Sequence, residues 1–374
     1  MTIRVVLGPA SGEIKSARQR AARPPRVGLR AIRLPPCVDS WYKNSVKDAQ
    51  DPPPKRIADL LKTIREVADK LALDRTSRGD LKILSRTLRE LRYAFKVFSP
   101  YRQTRKVTVF GSARTPPERP DYRQAVEFGR AMAEHNWLVV TGAASGIMEA
   151  GHVGAGRENS MGINILLPFE QDVNPVIAGD AKLVYMKYFF TRKLLFVKES
   201  DAYCLLPGGF GTLDEGLEVL TLLQTGKHDM MPVVLLDSPG GDYWSAFDDF
   251  IRSRLLDRGM IGAEDLALYR VCDRVEDAVA ELLRFYSVYH SMRFVREKLV
   301  FRLQRPLDDA ALDAINADFA DILVEGRYTL GTALPEERHE IELAELPRLI
   351  FRFDRCSFGR LRQLIDRINE GASR

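Results

Sequence analysis

The residues best suited to chemistry are concentrated in Pro207-Gly208-Gly209-Phe210-Gly211-Thr212-Leu213-Asp214-Glu215. An apolar run, Ala202-Tyr203-Cys204-Leu205-Leu206, precedes them and reads as a buried strand, while Leu217, Leu220, Leu222 and Leu223 follow at helical spacing. A glycine-rich turn between strand and helix leaves backbone N–H groups pointing outward at the positive end of the helix dipole, an arrangement that cradles phosphate. Glu215 places a carboxylate about one turn into that helix. The same letters also fit a plain connection in which Thr212 caps the helix and Glu215 completes a capping box.

Three further clusters carry polar groups that could serve the same ligand. Thr191-Arg192-Lys193 opens a helix, and the Arg192 guanidinium can grip a phosphate or a ribose hydroxyl in bidentate fashion; a solvated basic pair is the alternative. Gly111, Ser112 and Arg114 offer N–H groups, a hydroxyl and a charge after the strand Val107-Thr108-Val109-Phe110, or form a short βα turn and nothing more. Gly142 and Gly146 bracket a second glycine-bearing turn, with Met148 as an apolar surface for a base or as ordinary core. No Gly-x-Gly-x-x-Gly follows the first strand, and neither a P-loop nor a Gly-x-Ser-x-Gly elbow is present, which argues against dinucleotide, P-loop and serine-hydrolase chemistry. The five histidines (His135, His152, His228, His290, His339) lack metal-ligand or triad spacing, so neither a metal nor a cofactor is expected.

The elements that must position these groups follow from the pattern of the chain. Residues 1–54 are broken by Pro24-Pro25, Pro35-Pro36 and Pro52-Pro53-Pro54 and form a basic, irregular arm. Residues 55–104 read as a helical hairpin packed on the main domain, with stripes Ile57, Leu60, Leu61, Ile64, Val67, Ala68, Leu71 and Leu81, Ile83, Leu84, Leu88, Leu91, Phe95, and a break at Ser77-Arg78-Gly79-Asp80. From residue 105 to 290 strands alternate with helices. This predicts an α/β, Rossmann-like, doubly wound parallel sheet whose glycine-bearing turns converge at the carboxyl ends of the strands. Residues 291–374 read as a small α+β module with a helix over 308–324 and strands over 299–303, 327–334 and 348–353, a pattern compatible with a split βαβ unit.

Bulk properties set the class. At 374 residues, 45% hydrophobic and 29% charged, the chain is long enough for two or three domains and ordinary for a globular protein. No apolar run approaches the ~20 residues needed to span a bilayer, and the start lacks a secretory apolar core, so a cytoplasmic location and no membrane partner are expected. The four cysteines (Cys37, Cys204, Cys272, Cys356) show no paired spacing. Part of the net charge of +5 sits in the first segment, where arginines outnumber acids. That leader fits a solvated arm, a nucleic-acid contact or a transit-like segment.

The combination of Gly111-Ser112, the turn from Gly142 to Met148, Arg192-Lys193 and the run from Pro207 to Glu215 resembles the LOG (Lonely Guy) family, long mislabelled as lysine decarboxylases. The resemblance covers roughly residues 105–285. It implies a Rossmann-like fold, a homodimer or higher homo-oligomer, and hydrolysis of the N-glycosidic bond of a nucleoside 5′-monophosphate, AMP-like or a cytokinin nucleotide, to free base and ribose 5-phosphate. Position by position it implies Arg192 and Glu215 as catalytic residues and Gly208, Gly209, Gly211 and Thr212 as the phosphate loop. Lys193, Gly111, Ser112, Arg114, Gly142, Gly146 and Met148 complete the expected substrate site. The chain departs from the family at Gly142-Ala143-Ala144-Ser145-Gly146, where a run of glycines is usual, and at Phe189, where plant-type members carry Met. From another class, a nucleotide- or single-stranded-DNA-binding module without hydrolase activity remains the alternative, as does a nucleotide sensor whose C-terminal module reads a second ligand.

Overall fold

The computed structural model describes residues 55–167 and 173–370; the basic arm expected over 1–54 lies outside them. The chain divides after Thr76 into two units. In the first, helix α1 (Lys55–Leu73) carries Ile57, Leu60, Ile64 and Val67 as an exposed apolar row. The second, Ser77–Arg374, opens with α2 (Arg78–Phe98), whose start the sequence pattern misplaced. Ser77 caps this helix, its Oγ accepting the Asp80 N–H at 3.2 Å, so Arg78, Gly79 and Asp80 form the first turn and not a break. A serine cap with an acid three residues on outweighs one exposed glycine. The expected stripe also differs. Leu81, Leu84, Leu88 and Phe95 remain exposed, and α2 buries Glu90, Ala94 and Phe98 instead.

Then follow β1 (Lys106–Phe110), α3 (Pro120–Glu134), β2 (Leu138–Thr141), α4 (Ile147–Ala155), β3 (Ser160–Ile165), β4 (Leu183–Met186), α5 (Phe189–Glu199), β5 (Ala202–Leu205), α6 (Phe210–Gln224), β6 (Val233–Leu236), α7 (Tyr243–Phe250), β7 (Arg270–Cys272) and α8 (Val275–Phe285). The strands form one parallel sheet in the order β4-β3-β2-β1-β5-β6-β7, a doubly wound Rossmann-like arrangement. Both faces are covered. Val107, Val109, Cys204 and Leu206 pack on one side, and Phe110, Tyr203 and Leu205 on the other, so alternate residues of each central strand feed different cores. This double burial makes the strands read as nearly continuous apolar runs.

The remaining chain gives β8 (Tyr289–Val295), β9 (Lys298–Leu303), α9 (Asp309–Asp318), β10 (Leu323–Gly331), β11 (Arg348–Phe353) and α10 (Phe358–Glu370). Neighbouring strands of their sheet, β10-β11-β9-β8, are all antiparallel, so β9 and β10, joined through α9, run parallel on either side of β11, the split βαβ arrangement the pattern allowed, with β8 added at the edge. Strand β8 had no counterpart in the sequence pattern. The helix expected to reach residue 324 stops at Asp318, because Leu323 already pairs with Phe353 and Asn316 holds Tyr328, accepting its N–H at 2.9 Å. Tyr289, Phe301, Phe351 and Phe353 join the same apolar cluster as Phe110 and Tyr203, so the two sheets share a core.

Candidate active site

The sheet reverses its winding between β1 and β5, and ligands of such sheets lie beside that switch at the carboxyl ends of the strands. A cavity of about 640 Å³ opens there, lined by residues 110–114, Met148, Arg192 and residues 208–213. Main-chain bonds tie the three turns together. The Ser112 N–H donates to the Pro207 carbonyl and the Ile147 N–H to the Ser112 carbonyl, each at 3.1 Å, and Ser145 Oγ donates to the Ala113 carbonyl at 2.9 Å. Gly146 permits this closeness. Its φ is 66°, and a Cβ there would lie 2.3 Å from the Ser112 carbonyl oxygen.

Helix α6 begins at Phe210 with Gly209 as its cap, which places Thr212 and Glu215 inside the helix and removes the capping-box explanation for both. Thr212 packs over Gly208, where a Cβ would meet Thr212 Oγ1 at 2.1 Å. Tyr243 Oη donates to the Gly208 carbonyl at 2.7 Å and fixes the loop from outside. None of Gly208, Gly209 and Gly211 has a positive φ, but a Cβ on Gly209 or Gly211, unlike one on Gly208, would meet nothing within 4 Å. The fold does not need glycine at these two positions. They leave the amides of the helix N-terminus open to close approach from the cavity. Phe210 between them is 93% exposed.

Glu215 is 2% exposed and does not line the cavity; Arg192 does, with Nη2 at 3.5 Å from Glu215 Oε1. Lys193 Nζ lies 3.8 Å from Glu215 Oε2, 2.9 Å from Asp214 and 2.6 Å from Glu218. Burial raises the Glu215 pKa from its ordinary 4.5, with Lys193 and Arg192 pulling against it and Glu218 and Asp214 adding to it. Burial works against the Lys193 ammonium, yet Glu218, Asp214 and Glu215 together hold its pKa above the ordinary range. Arg192 is lightly held: Nε is buried without a partner, and the guanidinium stands 5.1 Å from the Phe189 ring and 5.6 Å from the Phe196 ring.

The structure thus brings Gly111, Ser112, Arg114, Met148, Arg192, Gly208, Gly209, Gly211 and Thr212 onto one wall, while Gly142, Gly146, Lys193 and Glu215 stand behind it. Gly142 lies under Met148 and Arg192, where a Cβ would be 2.8 Å from Met148 Sδ and 3.7 Å from Arg192 Nη1. The alanine at 143 holds a glycine-like φ of 60°. Its N–H donates to Thr141 Oγ1 and its carbonyl accepts from the Asn174 N–H, both at 2.9 Å. His152 is buried below this turn, with burial lowering its pKa to about 4.

Sequence reasoning missed Tyr243, Asn164 (Nδ2 donates to the Gly142 carbonyl at 3.1 Å), Asn174 and Glu90. Each acts on a backbone group far away in sequence, and no spacing rule reports that. Among the described residues no His/Cys/Asp/Glu cluster could hold a metal ion, and no helix is long and apolar enough to cross a membrane.

A family model described as "Possible lysine decarboxylase" matches residues 141–282. A cytokinin riboside 5′-monophosphate phosphoribohydrolase of Arabidopsis thaliana is 33% identical over 141 residues, 37% of this chain but only 63% of that protein, less than two thirds of its length. Another from the same plant is 33% identical over 186 residues, 48% of this chain and 81% of that protein. Among solved structures, the molybdenum cofactor carrier protein of Chlamydomonas reinhardtii is similar at 23% identity, over 47% of this chain and 94% of that one, with a TM-score of 0.34. On the extent of the match to the second Arabidopsis protein, the chain belongs to the LOG family.

Proposed function

We propose that the chain hydrolyses the N-glycosidic bond of a nucleoside 5′-monophosphate, releasing the base and ribose 5-phosphate. The observation that carries this reading is Glu215, buried beneath the helix N-terminus that faces the cavity and set against Arg192 and Lys193. A carboxylate held just behind the guanidinium on the cavity wall opposes anion binding there, so a role in hydrolysis accounts for it better than anion binding alone. The two Arabidopsis relatives, both cytokinin riboside 5′-monophosphate phosphoribohydrolases, support the reading from outside the structure.

In this account the phosphate sits on the α6 amides at Gly209 and Gly211, a contact remote from the reacting atoms whose binding energy orients the ribose. The bond to the base nitrogen breaks with its electron pair, water then adds to C1′ and gives up one proton, and the base takes up one proton, so that ribose 5-phosphate and neutral base result. Positive charge builds on the sugar between those events, and a carboxylate stabilises it. Arg192 lies between the cavity and Glu215. A bound nucleotide, by drawing the lightly held guanidinium to its own anionic or hydroxyl groups, brings the carboxylate into play. No metal or cofactor enters these steps. Incubation with AMP, GMP, CMP and cytokinin nucleotides should release free base from at least one. Absence of release from every nucleotide, at enzyme concentrations near that of the substrate, would leave a binding module as the reading.

A further inference from the structure

Helix α5 carries Arg192 at the end of its first turn and Lys193 at the start of its second, and has no side-chain cap of its own. The residue at the N-cap position, Tyr188, makes no side-chain capping bond. The chain entering α5 is held from elsewhere. Glu90, on α2, is 1% exposed; its Oε1 accepts the Lys187 N–H at 2.9 Å, and its Oε2 accepts the Thr191 hydroxyl, also at 2.9 Å. Arg86, one turn earlier on α2, donates to Glu90 Oε1 at 2.7 Å and balances the charge. Lys187 precedes the N-cap, so the Glu90 carboxylate fixes the chain entering α5 and the side chain of Thr191, whose hydroxyl also lies 2.8 Å from the Tyr188 carbonyl, and a buried anion at this end interacts favourably with the helix dipole. Thr191 directly precedes Arg192, so the clamp acts one residue from the guanidinium on the cavity wall.

We propose that Glu90 is a positioning residue for Arg192 and Lys193, making α2, which lies outside the residues matched by the family model, an integral part of the catalytic site. The inference rests on the reading of that site as a phosphoribohydrolase. Glu90 touches no substrate; it fixes the origin of α5, hence the 3.5 Å approach of Arg192 to Glu215. Small displacements of a positioned group cost rates steeply, about 100-fold for a shift near 1 Å.

The test uses the full chain with Glu90→Ala, Glu90→Gln and Thr191→Val. In base-release kinetics Glu90→Ala should lose about 10- to 100-fold in kcat with KM changed less than threefold, because the glycine loop that binds phosphate is untouched. Glu90→Gln, which still accepts the Lys187 N–H, should recover most of that loss, and Thr191→Val should fall between. Unchanged kcat in folded Glu90→Ala, or equal losses in the Ala and Gln variants, would overturn the proposal. Amide hydrogen exchange over residues 187–193 separates this failure from failure of the functional reading, since it needs no substrate. Faster exchange there in Glu90→Ala supports the clamp even if the parent released no base, and exchange identical to the parent's overturns it.

Discussion

Glu215 and the two open glycines carry most of the functional reading, and they make opposite demands on stability. Gly211 lies in the first turn of α6 with nothing near its missing side chain, so Gly211→Ala should raise unfolding free energy by about 0.5 kcal/mol through helix propensity while weakening nucleotide binding. Calorimetry and equilibrium binding on the same variant check both signs; tightened or unchanged binding would remove the loop from phosphate recognition. Glu215 titrates above its ordinary 4.5, chiefly because it is buried. If the ionised form works, the acid limb of kcat/KM lies above that value and disappears in Glu215→Gln. The linkage has the same root. A carboxylate whose folded pKa is raised contributes stability at low pH that is lost as pH rises through the folded value, so Glu215→Gln should melt no lower than the parent at pH 7, and the difference should vanish below the ordinary carboxylate range. The sequence showed which residue types cluster at 207–215. It could not show that Glu215 stands behind Arg192, because that depends on where α5 packs and not on spacing along α6.

At the scale of elements, the alternation of strands and helices from β1 to α8 was legible because both sheet faces are buried and the glycine turns punctuate them. Failures fell where pairing decided the structure. Strand β8 mixes Tyr289, Met292 and Val295 with half-buried polar residues, and only its ladder with β9 identifies it. Helix α2 presented an attractive leucine stripe, yet its buried side is Glu90, Ala94 and Phe98, since the carboxylate has partners at Lys187, just before α5, and Thr191, on it, that no local pattern reveals. The second sheet is pinned by a buried ion cluster. Glu337 Oε1 lies 2.9 Å from Arg302 Nη2 on β9 and Oε2 lies 3.2 Å from Arg348 Nε on β11, with no side-chain exposure for Glu337 or Arg348. Breaking such a cluster leaves unpaired buried charges, and Glu337→Ala should cost about 3–5 kcal/mol in chemical denaturation. Burial alone would raise the Glu337 pKa, but the Leu334 N–H, Arg348 and Arg302 outweigh it and hold the pKa below 4.5. The corresponding stability is present above the unfolded carboxylate pKa and is lost as pH falls through the folded one, a slope absent in the variant.

At the scale of the whole molecule, the parallel and antiparallel sheets share one core, so the C-terminal module is built into the unit that carries the candidate site. Phe189, Phe190 and Leu194 on α5 and Leu217 on α6 are exposed apolar residues, and the homodimer or higher homo-oligomer implied by family resemblance is expected to cover them. Light scattering should give at least twice the 42.3 kDa chain mass, falling toward one chain in Phe190→Asp and Leu194→Asp variants; a monomeric parent would remove that expectation. The central claim is hydrolysis at a carboxylate beneath a phosphate-binding helix end. Its most direct measurement is base release from nucleoside 5′-monophosphates by parent and Glu215→Gln side by side, with nucleotide binding followed in both. The account predicts release by the parent, a loss of at least about 100-fold in the variant, and binding within about threefold of the parent. Equal release by the two proteins would contradict it.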